Sequence, residues 1–240
     1  MTANAMGPHG AALLAYFRGD TQAELVIRRD DGLEDRLPVS HFFRQPEQFF
    51  PIEVTALDRC RGHVLDIGAG TGLHSLVLQS RGHAVTAIDV NSLAVTIMQE
   101  RGVQDTRRAD IFEFESGPFD TLLMLGHGIG MVEDLAGLDR FLIHARTLAP
   151  GDGQVLVHSH DVRKTTDPRH LTYHDATRRA GRYIGEIRMQ FAVAGETGPL
   201  CGWLHVDPET LERHATQGQW ACEILMEEES GDYLARLAPA

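Results

Sequence analysis

Asp66 stands inside a short apolar run, Val64-Leu65-Asp66-Ile67, and three glycines follow it at alternate positions: Gly68, Gly70 and Gly72, with Ala69 and Thr71 between them. A run of this kind forms a strand buried on both faces. Glycine permits positive φ and lets the backbone approach a ligand closely. Leu73, Leu76, Val77 and Leu78 then repeat with helical period. The unit reads as strand, glycine turn, helix, with the free amide N–H groups of the helix start aimed at whatever occupies the turn. A dinucleotide site would need G-x-G-x-x-G, and the third glycine would fall where this chain has Leu73. That spacing disfavours a nicotinamide-dependent oxidoreductase.

More carboxylates and turns recur downstream. Ala84 to Asp89 is a second apolar strand ending in an acid, and Val90 and Asn91 lead from it into a helix. An acid there, ~20 residues past the glycine loop, accepts hydrogen bonds from ribose hydroxyls. Thr106 to Phe112 contains Asp110 followed by Ile111. Phe119 to His127 reads as a buried strand ending in Leu125-Gly126-His127. Leu148-Ala149-Pro150-Gly151-Asp152-Gly153 precedes a fifth strand, Gln154 to Val157. In this order, over about residues 60–160, the five segments resemble the signatures of bacterial class I S-adenosylmethionine-dependent methyltransferases.

The resemblance implies an α/β fold, a Rossmann-like seven-stranded sheet flanked by helices with its last strand antiparallel. It implies S-adenosyl-L-methionine as cofactor and S-adenosyl-L-homocysteine as product. It places Asp66 at the methionine amino group, and Gly68, Ala69, Gly70, Thr71 and Gly72 in the loop beneath the sulfonium. Asp89, with Val90 and Asn91 beside it, falls at the ribose; Asp110 and Ile111 fall at the adenine. Leu125 and Gly126 lie in the loop beneath the transferred methyl group. No acceptor is implied.

An oxygen or nitrogen nucleophile protonated at neutral pH also needs a base, and imidazole titrates nearest to neutrality. His127 sits where the fourth strand ends, and Gly126, Gly128 and Gly130 leave its loop free of bulky side chains. His158-Ser159-His160-Asp161 leaves the fifth strand at the same end of the sheet. His127, or failing that His160 held by Asp161, is the expected base. Alternate strand residues such as His158 and His160 can chelate a metal, but no third ligand is evident, so none is expected.

The surrounding elements must position these groups. Ala11 to Phe17 reads as a helix stopped by Gly19. Ala23–Arg29 and Leu33–Leu37 flank Asp30-Asp31-Gly32, a hairpin turn signal. Phe42, Phe43, Arg44, Phe49 and Phe50 are lid candidates, and Pro51 to Cys60 should be the helix before the first core strand. Thr165 to Arg182, with Tyr173, His174 and Arg178, looks like a second cover element. Tyr183–Val193 and Leu200–Val206 alternate as strands do. Asp207-Pro208-Glu209 starts a helix, and Trp220–Met226 with Tyr233–Leu237 forms a last antiparallel pair. The expected organisation is a cover segment, residues 1–50, and a methyltransferase domain, residues 51–240, with a cover insertion at about 163–182.

Composition narrows the partner. The 240 residues carry a net charge of −12, which opposes nucleic-acid backbones, so a small-molecule or peptide acceptor is favoured over RNA. No apolar run reaches the ~20 residues of a membrane span. The start of the chain lacks a secretory pattern, and three scattered cysteines form no zinc motif, so a cytoplasmic enzyme is expected. A non-catalytic cofactor-binding subunit is the other rival, and the polar loop at 158–163 argues against it.

Overall fold

The computed structural model describes all 240 residues. Helix α1 (Gly7–Phe17) precedes a hairpin of β1 (Glu24–Arg29) and β2 (Glu34–Pro38). Its turn is the one expected, with Gly32 at φ 90°. Helix α2 (Pro51–Arg59) opens on proline, whose missing N–H costs nothing in a first turn. Its Glu53 accepts the Phe50 amide at 2.8 Å. Strand and helix then alternate: β3 (His63–Ile67), α3 (Leu73–Ser80), β4 (Ala84–Asp89), α4 (Ser92–Arg101), β5 (Asp105–Arg108), β6 (Thr121–Met124), α5 (Leu135–Leu148) and β7 (Gln154–His160). The remainder is α6 (Pro168–Arg179), β8 (Glu186–Val193), β9 (Glu196–Thr197), β10 (Cys201–Leu204), α7 (Pro208–Gln217), β11 (Trp220–Glu227) and β12 (Asp232–Pro239).

Seven strands form the main sheet in the order β11-β12-β7-β6-β3-β4-β5. Strands β3 to β7 are parallel, and β12 runs antiparallel to both neighbours. Apolar side chains cover both faces, as the unbroken apolar strands require. Phe141, Leu142, Leu211 and Trp220 pack on one side, with Ile52, Leu57 and Leu78 on the other. From β3 the chain winds outward to β5, and then returns to β6 on the other side of β3. This reversal opens a crevice at the strands' carboxyl ends, where α/β folds bind ligands.

A second sheet, in the order β10-β8-β1-β2 with β9 beside β8, stands over that end. It joins the N-terminal hairpin to strands 160 residues later, with Val26 opposite Ala192. Leu25, Met189 and Phe191 bury their side chains together with Leu13 of α1 and Ile97 of α4. The cover thus includes strands from residues 186–204 that local spacing does not connect to residues 24–38. Two boundaries also differ from expectation. β7 continues to His160, because pairing with β12 extends to His160 opposite Asp232. β6 stops at Met124, because Gly126 and His127 turn the chain through left-handed φ values of 62° and 57°.

Candidate active site

The crevice and the second sheet enclose a cavity of about 810 Å³, within the ~300–1,000 Å³ typical of small-molecule sites. At one end stands the glycine loop. Gly68, Gly70 and Gly72 all have positive φ, at 70°, 57° and 75°, so the alternate glycines meet a backbone requirement. The Gly68 and Ala69 amides donate to the Ile88 carbonyl, which ties the loop to β4. A Cβ on Gly70 would meet nothing nearer than 4.0 Å, leaving an open cradle on the cavity side.

Asp66, Gly68, Ala69, Gly70 and Thr71 all line the cavity. Asp66 is buried and accepts the Ser75 hydroxyl at 2.6 Å; burial raises its carboxyl above the ordinary range. Thr71 donates its hydroxyl to the Phe42 carbonyl, fastening the loop to the cover. Asp89 ends β4 with one oxygen accepting the Gly70 amide at 3.0 Å and the other the Asn91 amide at 2.8 Å. Burial pushes Asp89 up to about 6 against those two bonds, and Asp66 adds to the rise. Val90, Asp110, Ile111, Leu125 and Gly126 also face the cavity.

Three expected residues stand apart from it. Gly72 turns into α3, where a Cβ would strike Val103 at 2.6 Å. Asn91 caps α4 by accepting the Leu93 amide, and its amide group donates to the Met6 carbonyl. Asp161 does not hold His160. It is buried and binds Arg163 through both oxygens, at 2.8 and 2.9 Å.

The carboxylate that does serve the histidines is Asp232, the first residue of β12. Its Oδ1 lies 2.7 Å from His127 Nε2 and 3.0 Å from His160 Nδ1. His158 Nε2 stands 3.9 Å from the same oxygen, beyond hydrogen-bond range. His205, just after β10, places its ring centroid 5.4 Å from that of His127 and 5.7 Å from that of His160. Four imidazoles therefore cluster at this end, two of them hydrogen-bonded to Asp232. Burial would raise Asp232, but the imidazoles beside it more than offset this and hold it well below the usual carboxylate range. Burial lowers His158, and burial together with the neighbouring rings lowers His205 far below an ordinary imidazole.

Asp232 and His205 escaped the sequence reading. One signal existed for Asp232: an antiparallel last strand begins where its parallel neighbour ends, so its first residue falls at the ligand end. The loop after His127 is also less open than its glycines imply. It continues as a short 3₁₀ turn, and Trp203 fills the space over Gly130, where a Cβ would lie 2.1 Å from the indole. Of the lid candidates, Phe42, Arg44 and Phe50 reach the cavity. Phe43 stacks on Tyr16, and Phe49 packs into the core beside His74.

The "Methyltransferase domain" family model matches residues 64–151. A search of curated proteins found no match. Among solved structures, the chain is similar to a SAM-dependent methyltransferase from Bacteroides fragilis, in complex with S-adenosyl-L-homocysteine. The identity is 32%, the TM-score 0.86, and the alignment covers 100% of this chain and 97% of that one. Two others share the fold alone. The sugar N-methyltransferase KedS8 from Streptoalloteichus sp. ATCC 53650 is 15% identical, with TM-score 0.54 over 83% of this chain and 92% of that one. The CcbJ methyltransferase from Streptomyces caelestis is 13% identical, with TM-score 0.59 over 79% and 88%. Signature residues, strand order and full-length similarity agree: the chain belongs to the class I S-adenosylmethionine-dependent methyltransferases, and S-adenosylmethionine is its cofactor.

Proposed function

We propose that this methyltransferase acts on a small molecule, or on a peptide end small enough to enter the cavity. The observation that carries the reading is the roofed cavity itself. It joins the glycine loop to a histidine-rich end beneath the second sheet, and apolar side chains alternate on its walls with titratable ones such as Asp66, Asp89, His127, His160 and Asp232. Gly68, Ala69, Gly70 and Thr71 would cradle the cofactor and Asp66 would face its amino group. Asp89 and Val90 would take the ribose, Asp110 and Ile111 the adenine, and Leu125 with Gly126 the methyl end. The cofactor supplies an activated methyl group, so the protein's work is alignment and proton removal. Residues 1–50 and 163–182, with β8 and β10, serve as the acceptor's cover.

His127 is the first choice of base, with His160 behind it. Asp232, hydrogen-bonded to His127 Nε2, fixes the ring's orientation and leaves Nδ1 to take the acceptor proton. The His127 side chain is 36% exposed, enough to meet a substrate. The test is a panel of small hydroxyl, amine and thiol acceptors, with release of S-adenosylhomocysteine as readout. With an acceptor in hand, His127→Ala should lose ~10²–10⁴-fold in turnover while calorimetry shows unchanged cofactor affinity. Wild-type turnover and pH profile in both His127→Ala and His160→Ala would remove both from the base role.

A further inference from the structure

The histidine end of the cavity has the composition of a metal centre. We propose that His127, His158 and Asp232 bind one divalent transition-metal ion of the zinc class, beside the point where the acceptor would sit. One donor atom from each of these three residues lies within 4.8 Å of the other two. A zinc ion bonds imidazole nitrogen at ~2.0–2.1 Å in tetrahedral geometry, which sets ligand atoms roughly 3.4 Å apart. The spacings here bracket that value, at 2.7 Å from His127 to Asp232 and 3.9 Å from His158 to Asp232. Side-chain shifts under an ångström would equalise them.

An independent observation points the same way. His158 Nε2 is buried without a hydrogen-bond partner, on a side chain only 9% exposed, and it faces the Asp232 carboxylate. A buried polar atom left unpaired costs free energy, and a metal bond would satisfy it. Ligation through Nε2 moves the proton to Nδ1. The His127 amide contact there, at 3.4 Å, is already at the limit of a hydrogen bond and is given up. Two imidazoles and one carboxylate favour zinc, iron(II) or cobalt(II) over magnesium or calcium, which prefer all-oxygen sets. Three protein ligands leave a coordination position free, as catalytic zinc sites do.

The ion's role rests on the proposed function, although its binding does not. At the free position it would hold the acceptor heteroatom and lower its pKa. With His127 engaged on the ion through Nε2, the proton would pass to the second base candidate, His160, 3.0 Å from Asp232 and outside the ligand triad.

Zinc chloride alone is the probe. Chelator-stripped protein, titrated calorimetrically, should bind zinc at a single stoichiometric site. Asp232→Asn and His158→Gln should each abolish that site, while their S-adenosylhomocysteine affinity and melting transition stay near wild type. Cobalt(II) bound to the wild-type protein should give the intense visible spectrum of a four- or five-coordinate site. Zinc binding that persists in both variants would place the ion elsewhere and overturn the inference, as would a wild-type cobalt spectrum resembling the hydrated ion. Failure to bind S-adenosylhomocysteine would count against the proposed cofactor residues; failure to bind zinc would leave them standing.

Discussion

Asp89, proposed at the cofactor's ribose, would tie cofactor affinity to pH. Its folded-state value of about 6 lies above its ordinary 3.8 because it is buried. The folded chain therefore prefers the protonated acid, and this carboxyl's contribution to stability is full below about 3.8 and lost as pH rises through about 6. In the proposed site, ribose hydroxyls would donate to the ionised form, so binding and stability would pull in opposite directions. Cofactor affinity should be flat above neutrality and weaken as pH falls below about 6. Asp89→Ala should weaken binding by ~1.5–3 kcal/mol, roughly 10- to 150-fold. Calorimetry from pH 5 to 8 checks both, and full affinity in Asp89→Ala would remove this residue from the site. The position of Asp89 at the cavity was legible because it follows from two local facts, an apolar strand and the residue that ends it.

At the scale of elements, the cover is held to the core by a buried ionic knot. Arg44, between the hairpin and α2, forms a paired contact with Glu53 of α2 at 2.9 Å through both nitrogens. His74 of α3 adds a third contact at 2.8 Å. Burial alone would raise Glu53, but bonds from His74, the Phe50 amide and Arg44 reverse that and hold it at about 2. A depressed carboxyl contributes stability above its ordinary 4.5 and loses it as pH falls toward 2. Glu53→Ala strands the Arg44 guanidinium, whose side chain is 12% exposed. Removing one partner of a buried pair costs about 3–5 kcal/mol. Chemical denaturation should show that loss at pH 7 and a smaller one at pH 3. An equal loss at both would mean that Glu53 acts through packing, not charge. Helix α2 itself was predicted, over Pro51 to Cys60, as the helix before the first core strand. Its ion pair was not, since a salt bridge needs the geometry of three separate elements.

For the whole molecule, net charge and enclosure act together. An excess of 12 negative charges and a roofed cavity both oppose a polyanionic acceptor. Electrophoretic titration with tRNA and duplex DNA at physiological ionic strength should show no tight complex. Tight binding with a steep salt dependence would overturn the small-molecule reading, because counterion release gives that slope. No helix is long and apolar enough to cross a membrane.

What the sequence determined by itself is the cofactor half of the protein. Strand, glycine turn, helix and terminal acid are contiguous, so residue type and spacing along a few turns of chain dictate both backbone and chemistry. Asp66, Gly68, Gly70, Asp89 and Asp110 all reach the cavity for that reason. Tertiary structure alone decided the histidine-rich half of the cavity. His127, His158, His160, His205 and Asp232 come from a loop, two strands of one sheet and the edge of another. No local period links them, and the wrong carboxylate, Asp161, lies next to His160 in sequence. The end of β7 decides between the two. Asp161 falls just past it and caps the following 3₁₀ turn, where it binds Arg163, while the register of β12 sets Asp232 directly opposite His160.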